Sequence, residues 1–122
     1  MSVTNLAVMR MIGGANFELA AGPAAAQATA TRLNNTLCRC TRGVATGSFI
    51  LPSILSGEAN QEIWLVNDTA GALNVYPAVG EKNGGTLNAA VSVASGAAAV
   101  FIPVLNITNN PSSTDWRNGV VT

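Results

Sequence analysis

Residues 61–104 read QEIWLVNDTAGALNVYPAVGEKNGGTLNAAVSVASGAAAVFIPV. Short runs of Val, Ile, Leu, Tyr and Trp alternate here with clusters of Asn, Asp, Gly and Ser, the punctuation of successive strands and turns. Ile63, Trp64, Leu65 and Val66 are strong strand formers with apolar side chains on both faces. That pattern predicts a strand covered from both sides. Residues 67–71 supply a turn, in which Asn and Asp can bond their own backbone. Residues 73–76 form the return strand, with Leu73 and Val75 on one face and Asn74 and Tyr76 on the other. Pro77 ends it. Together the two runs predict a hairpin.

The same alternation continues outward. Residues 80–85 (GEKNGG) are the most polar loop of the chain. Val91 and Val93 mark a strand, Ser95 and Gly96 a turn, and Val100, Ile102 and Val104 one alternating face of the next strand. Residues 109–115 read as a loop and 116–121 as a last short strand. Toward the N-terminus, 48–51 (SFIL) is a strand stopped by Pro52, and 36–40 is another. Residues 16–32 read as extended, although helix propensity favours 24–33. The sum is seven or eight short strands. The predicted fold is all-β, a small antiparallel β-sandwich or barrel, with residues 16–122 as a single domain. Residues 1–15 carry Leu6, Val8, Met9, Met11 and Ile12 with Arg10 as the only charge. They read as an extended arm that docks on another subunit, or else as a first strand. With Phe17, these five apolar residues are the candidate interface with another subunit.

Only 10% of the 122 residues are charged, and 6 basic residues balance 6 acidic ones. An average soluble domain carries about 25%, so much of this surface is expected to lie against partners. A neutral chain with one lysine, Lys82, lacks the basic footprint that nucleic-acid binding needs. No run approaches the ~20 apolar residues of a membrane-spanning helix, and residues 1–14 do not read as a signal peptide. Synthesis without export, no nucleic-acid partner and no membrane partner are the expectations.

Catalytic groups are sparse. With no histidine in the chain, a Ser-His-Asp or Cys-His site is impossible. The six carboxylates, Glu18, Glu58, Glu62, Asp68, Glu81 and Asp115, fall in or beside predicted turns and read as solvated. Gly13-Gly14, Gly71 and Gly84-Gly85 match no phosphate-binding pattern and read as turn formers. Cys38 and Cys40 share one strand face, where an intramolecular disulfide would be strained. They read as small packing residues, with intermolecular pairing or metal chemistry as the alternatives. Trp64, Tyr76 and Trp116 are a possible sugar-stacking set, against which stands the apolar strand that holds Trp64. No enzyme, cofactor or metal is expected.

One register is more specific. Leu51-Pro52, Gly57, residues 63–67, Leu73-Asn74-Val75-Tyr76-Pro77-Ala78, Gly80, Asn83-Gly84-Gly85, a Val-x-Val strand, Gly96, Phe101 and Trp116 together resemble a pattern of virion structural proteins of tailed bacteriophages. The likeness spans roughly residues 30–117 and departs at the end, where Arg117 to Thr122 follow the tryptophan. Capsid decoration (cement) proteins and head-fibre or tail-fibre modules carry such β-domains. The resemblance implies a non-enzymatic, often trimeric protein made in the host cytoplasm and placed on the capsid exterior. Its implied partners are the major capsid protein and itself, as a homotrimer, with the arm as a clamp that stabilises the shell. A fibre module or a carbohydrate-binding module is the alternative.

Overall fold

Consecutive strands of this chain mostly do not pair with each other. The computed structural model describes residues 16–22, 26–33, 36–42, 46–54, 61–104 and 115–121. Among these are β1 (Asn16–Ala20), β2 (Thr31–Arg32), β3 (Leu37–Arg42), β4 (Ser48–Ile50), β5 (Ile63–Asn67), β6 (Leu73–Tyr76), β7 (Lys82–Asn83), β8 (Thr86–Leu87), β9 (Val91–Val93), β10 (Ala98–Val104) and β11 (Asp115–Val121). One 3₁₀ turn, Gln27–Thr29, precedes β2. The chain passes back and forth between two sheets, one ordered β1-β3-β5-β10-β11-β7-β8 and one ordered β2-β4-β6-β9. Because each link from β1 to β6 crosses to the opposite sheet, same-sheet neighbours among these six are alternate strands running the same way. β1/β3, β3/β5, β2/β4 and β4/β6 are all parallel.

The all-β sandwich is as expected, with more and shorter strands and with mixed pairing instead of antiparallel pairing throughout. The predicted hairpin between residues 62–66 and 73–76 is overturned: β5 lies in the large sheet and β6 in the small one. Residues 68–72 span the roughly 10 Å between sheet faces and not the ~4.8 Å between paired strands. Asn67 shapes this corner. Its side-chain amide donates to Gly71 O and Val93 O, both at 2.9 Å. Its Oδ1 accepts from Thr69 N (3.0 Å) and Thr69 Oγ1 (2.6 Å). Its backbone joins the corresponding β9–β10 crossing, with Asn67 N donating to Ala97 O and Gly96 N to Asn67 O. A single buried amide thus ties together two crossings between the sheets.

The core lies between the sheets. Cys38, Cys40, Ile63, Leu65, Ala99, Phe101 and Trp116 face inward from the large sheet. Phe49, Leu73, Val75 and Val93 meet them from the small one, and Leu33, Leu51 and Ile54 close the cluster from the connections. Each of the larger side chains contributes about 1.5–3 kcal/mol through burial. β5 is central between β3 and β10, as its doubly apolar sequence predicts.

The predicted polar loop at 80–85 holds the hairpin β7–β8. Gly84 and Gly85 both have positive φ, 61° and 87°, the signature of a type I′ turn. The loop is also less solvated than its composition suggests. Glu81 is 1% exposed; its carboxylate accepts from Ile54 N (2.9 Å) and Ser53 Oγ (2.5 Å). Asn83, also buried, donates to Val75 O in the opposite sheet at 3.0 Å. The reading of Glu81 as a solvated turn residue is therefore corrected: its carboxylate anchors residues 53–54.

Candidate interaction surface

The two outer faces of the sandwich differ in chemistry. On the small sheet, Arg32, Asn74, Tyr76 and Ser92 face away from the core, with Ile50 as the one aliphatic side chain among them; Ser48, on the same side, is buried and donates to Ala26 O at 3.2 Å. The uncovered part of this face is polar and suits water. On the large sheet the ladder register sets Leu37 beside Trp64, Trp64 opposite Val100, and Val66 opposite Ala98. Ile102 and Val104 continue the β10 row on the same face. Leu37, Trp64, Val66 and Val100 are half-buried, while Ile102 and Val104 are 46% and 41% exposed.

The predicted alternation of Val100, Ile102 and Val104 is real, and it is the outward face. The inward side of β10 carries the smaller Ala99 with Phe101, and Ala97 is buried just before the strand. Those small residues let the facing sheet pack closely, while the β-branched residues make an apolar stripe on the surface. Parallel sheets occur almost only where both faces are covered, and β3–β5 is a parallel pair with Leu37, Trp64 and Val66 on its outer side. A contiguous apolar face rimmed by polar groups marks a contact site.

The rim is charged and internally balanced. Arg39 pairs with Asp68 at one end of the stripe. Near the other, Arg117 Nε lies 3.2 Å from Asp115 Oδ2. Glu62 Oε1 accepts from the Trp64 indole N–H at 3.2 Å, fixing the ring on the face. Asp115 is buried, against its reading as a solvated loop residue, and also accepts from Gly85 N at 3.0 Å. Glu62 and Asp68 are exposed, as predicted. Glu58 lies outside the described residues, and Glu18 falls on β1, whose backbone alone is described.

The three aromatic residues do not make one platform. Trp116 is fully buried in the core, with no acceptor for its indole N–H among the described residues. Trp64 lies on the outer face of the large sheet and Tyr76 on that of the small one. A stacking surface built from the three is therefore overturned. Cys38 and Cys40 lie on the inner face of β3 as thiols, not joined in a disulfide, and both are buried, in keeping with their reading as packing residues. Among the described residues, no three Cys, Asp or Glu side chains converge.

The predicted interface residues Leu6, Val8, Met9, Met11 and Ile12, and with them the expected arm, lie outside the described residues; Phe17 falls on β1. The outer face of the large sheet was missed. Its signal was present in Trp64, Val66, Val100, Ile102 and Val104, whose period-2 pattern marks a face without saying which way it points. Comparison with protein-family models, curated protein sequences and solved structures returns no match.

Proposed function

We propose that this chain is a structural protein of a tailed-phage particle that binds the outer surface of the capsid and stabilises the shell, without catalysing a reaction. The observation that carries the reading is the asymmetry of the sandwich: one outer face is polar, and the other is an apolar stripe through Trp64, Val100, Ile102 and Val104. The low charge of the chain and its resemblance to phage virion proteins through Val75-Tyr76-Pro77-Ala78 and Asn83-Gly84-Gly85 support the same reading. The large-sheet face lies against the capsid protein, and residues 1–15 add a second, apolar grip. Stabilisation follows from mass action: a protein that binds only the assembled shell shifts the equilibrium toward assembly by its binding free energy.

Co-sedimentation with capsids of the cognate major capsid protein tests this. Ile102→Asp combined with Val104→Asp places two charges on exposed positions and is expected to weaken capsid binding at least tenfold while the fold persists. Deleting residues 1–15 is expected to weaken it as well. Undiminished occupancy by the double variant rejects the sheet face as the contact. Failure of the unaltered chain to bind any capsid rejects the function.

A further inference from the structure

The dipeptide Asn-Gly occurs at residues 83–84 and again at 118–119. It is the step at which an asparagine side chain is most open to attack by the next backbone nitrogen, because glycine has no Cβ to crowd the approach. The fold brings the two steps together. Asn118 Nδ2 donates to Asn83 Oδ1 at 3.3 Å, and Asn83 Nδ2 donates in turn to Val75 O at 3.0 Å. Two amides in series thus link β11 of the large sheet, through β7, to β6 of the small one.

Their surroundings set the two steps apart. Asn83 is buried and both ends of its amide are hydrogen-bonded. The following nitrogen, Gly84 N, is held by Trp116 O at 2.8 Å. The carbon to be attacked is shielded there, and the attacking nitrogen is occupied. Asn118 and Gly119 are both exposed. Gly119 lies opposite Val100, and its N–H belongs to that ladder. Asn67 N donates to Ala97 O, so the odd residues of β10 bond to β5 and the even ones, Val100 included, bond to β11. Freeing Gly119 N therefore needs only the end of β11 to part from β10. Arg117, Asn118, Gly119 and Val120 are all exposed, so parting them uncovers little apolar surface. Such an opening lies at the low-cost end of local unfolding.

We propose that Asn118 is a site of spontaneous deamidation, reached when the end of β11 opens, while burial protects Asn83. Gly119 N, having lost its proton to solvent, bonds to Asn118 Cγ. The Cγ–Nδ2 bond breaks, and Nδ2 takes up a proton and leaves as ammonia. Water then opens the five-membered imide at one carbonyl or the other, giving aspartate or isoaspartate at position 118. Either product adds a negative charge to a chain whose formal net charge is zero. The effect reaches inward. The new carboxylate has no N–H to give Asn83 Oδ1 and repels it. Asn83 cannot turn its amide over without setting Oδ1 against Val75 O. Isoaspartate also lengthens the main chain by an atom, so residues 119–121 lose their register on β10. The site thus couples the chemical age of the protein to the closure of the sandwich at β11.

Peptide mapping by mass spectrometry tests this on the full chain, incubated at mildly alkaline pH both folded and in urea. In urea the two steps should convert at similar rates. In the folded chain Asn118 should convert at least about tenfold faster than Asn83, and slower than in urea by the population of the opened strand end. Gly119→Ala should slow conversion at residue 118 at least about tenfold. That variant keeps the fold, since its Cβ meets only Val100 Cγ1 at 3.9 Å. Asn118→Asp reproduces the charge without lengthening the chain and should melt below the unaltered protein. Equal conversion of both steps in the folded chain overturns the proposal, as does conversion at 118 that Gly119→Ala leaves unchanged. So does an intact Asn118 after an incubation about a hundredfold longer than the urea sample needs. An Asn118→Asp variant that melts no lower overturns the coupling to the core. None of these measurements involves a capsid, so the reading of the large-sheet face is tested apart from them.

Discussion

Removing the Asn67 side chain should cost more stability than removing any solvent-facing polar group of this domain. Its amide is fully buried and makes four hydrogen bonds, two donated and two accepted. In Asn67→Ala these losses are not equal. Gly71 O is only weakly affected, because the Thr69 hydroxyl, released from Asn67 Oδ1, can donate to it across 3.0 Å. Val93 O, within a fully buried residue, loses the Asn67 amide but keeps its ladder bond to Leu73 in the β6–β9 pair, and the Thr69 N–H loses its acceptor. The half-buried Thr69 amide and the weakened Val93 carbonyl cost about 1 kcal/mol each. With the small cavity added, the expected loss is about 2–3 kcal/mol. For a domain of this size that lowers Tm by roughly 7–12 °C, out of a total stability of about 5–15 kcal/mol. Asn67→Asp should be worse still, since it replaces the donor with a carboxylate facing two carbonyl oxygens. Urea unfolding followed by tryptophan fluorescence measures both, with buried Trp116 as the reporter. A loss below about 1 kcal/mol for Asn67→Ala would refute the view that this residue braces the two crossings.

Glu81→Ala should destabilise the fold by about 2–3 kcal/mol, since it leaves the Ile54 N–H and the Ser53 hydroxyl without their carboxylate. Glu81→Gln, which retains one acceptor oxygen, should cost less, and urea titration of the pair separates a buried anchor from a solvated turn residue. Gly84→Ala and Gly85→Ala both force a side chain into positive φ, at about 1 kcal/mol each. Gly84 should be the worse of the two in thermal melts, because its Cβ would also come within 3.2 Å of Asn118 Nδ2, whereas nothing lies within 4 Å at Gly85. The thiols of Cys38 and Cys40 should be inert to an aromatic disulfide reagent in the native state and titrate as two groups in denaturant. Rapid labelling of the native protein would contradict their packing.

Where strands lie was legible in this chain; which strands meet was not. Residues 62–66 and 73–76 read as strands because their side chains are good strand formers, and β5 and β6 occupy almost those bounds. The intervening residues 68–72 suit a hairpin loop and a sheet-to-sheet crossing equally. What decides between them is the long-range bond from the Asn67 amide to Val93 O, which no local pattern encodes. Orientation failed for a related reason on β10. Both of its faces are apolar, and the bulkier set, Val100, Ile102 and Val104, points outward. The loop at 80–85 misled through composition: Glu81 and Asn83 are polar, yet they are buried because Ser53, Ile54 and Val75 offer them partners.

The same crossing topology accounts for the candidate contact face. Sending alternate strands to opposite sheets makes β1, β3 and β5 parallel neighbours, and a parallel array needs cover on its outer side as well as its inner one. The chain supplies a four-stranded sheet for the inner side and, among the described residues, nothing for Trp64, Val100 and Ile102 on the outer. Among the described residues that outer side is left bare, and the need is met by a broad apolar surface laid against it, which is what the proposed capsid contact supplies.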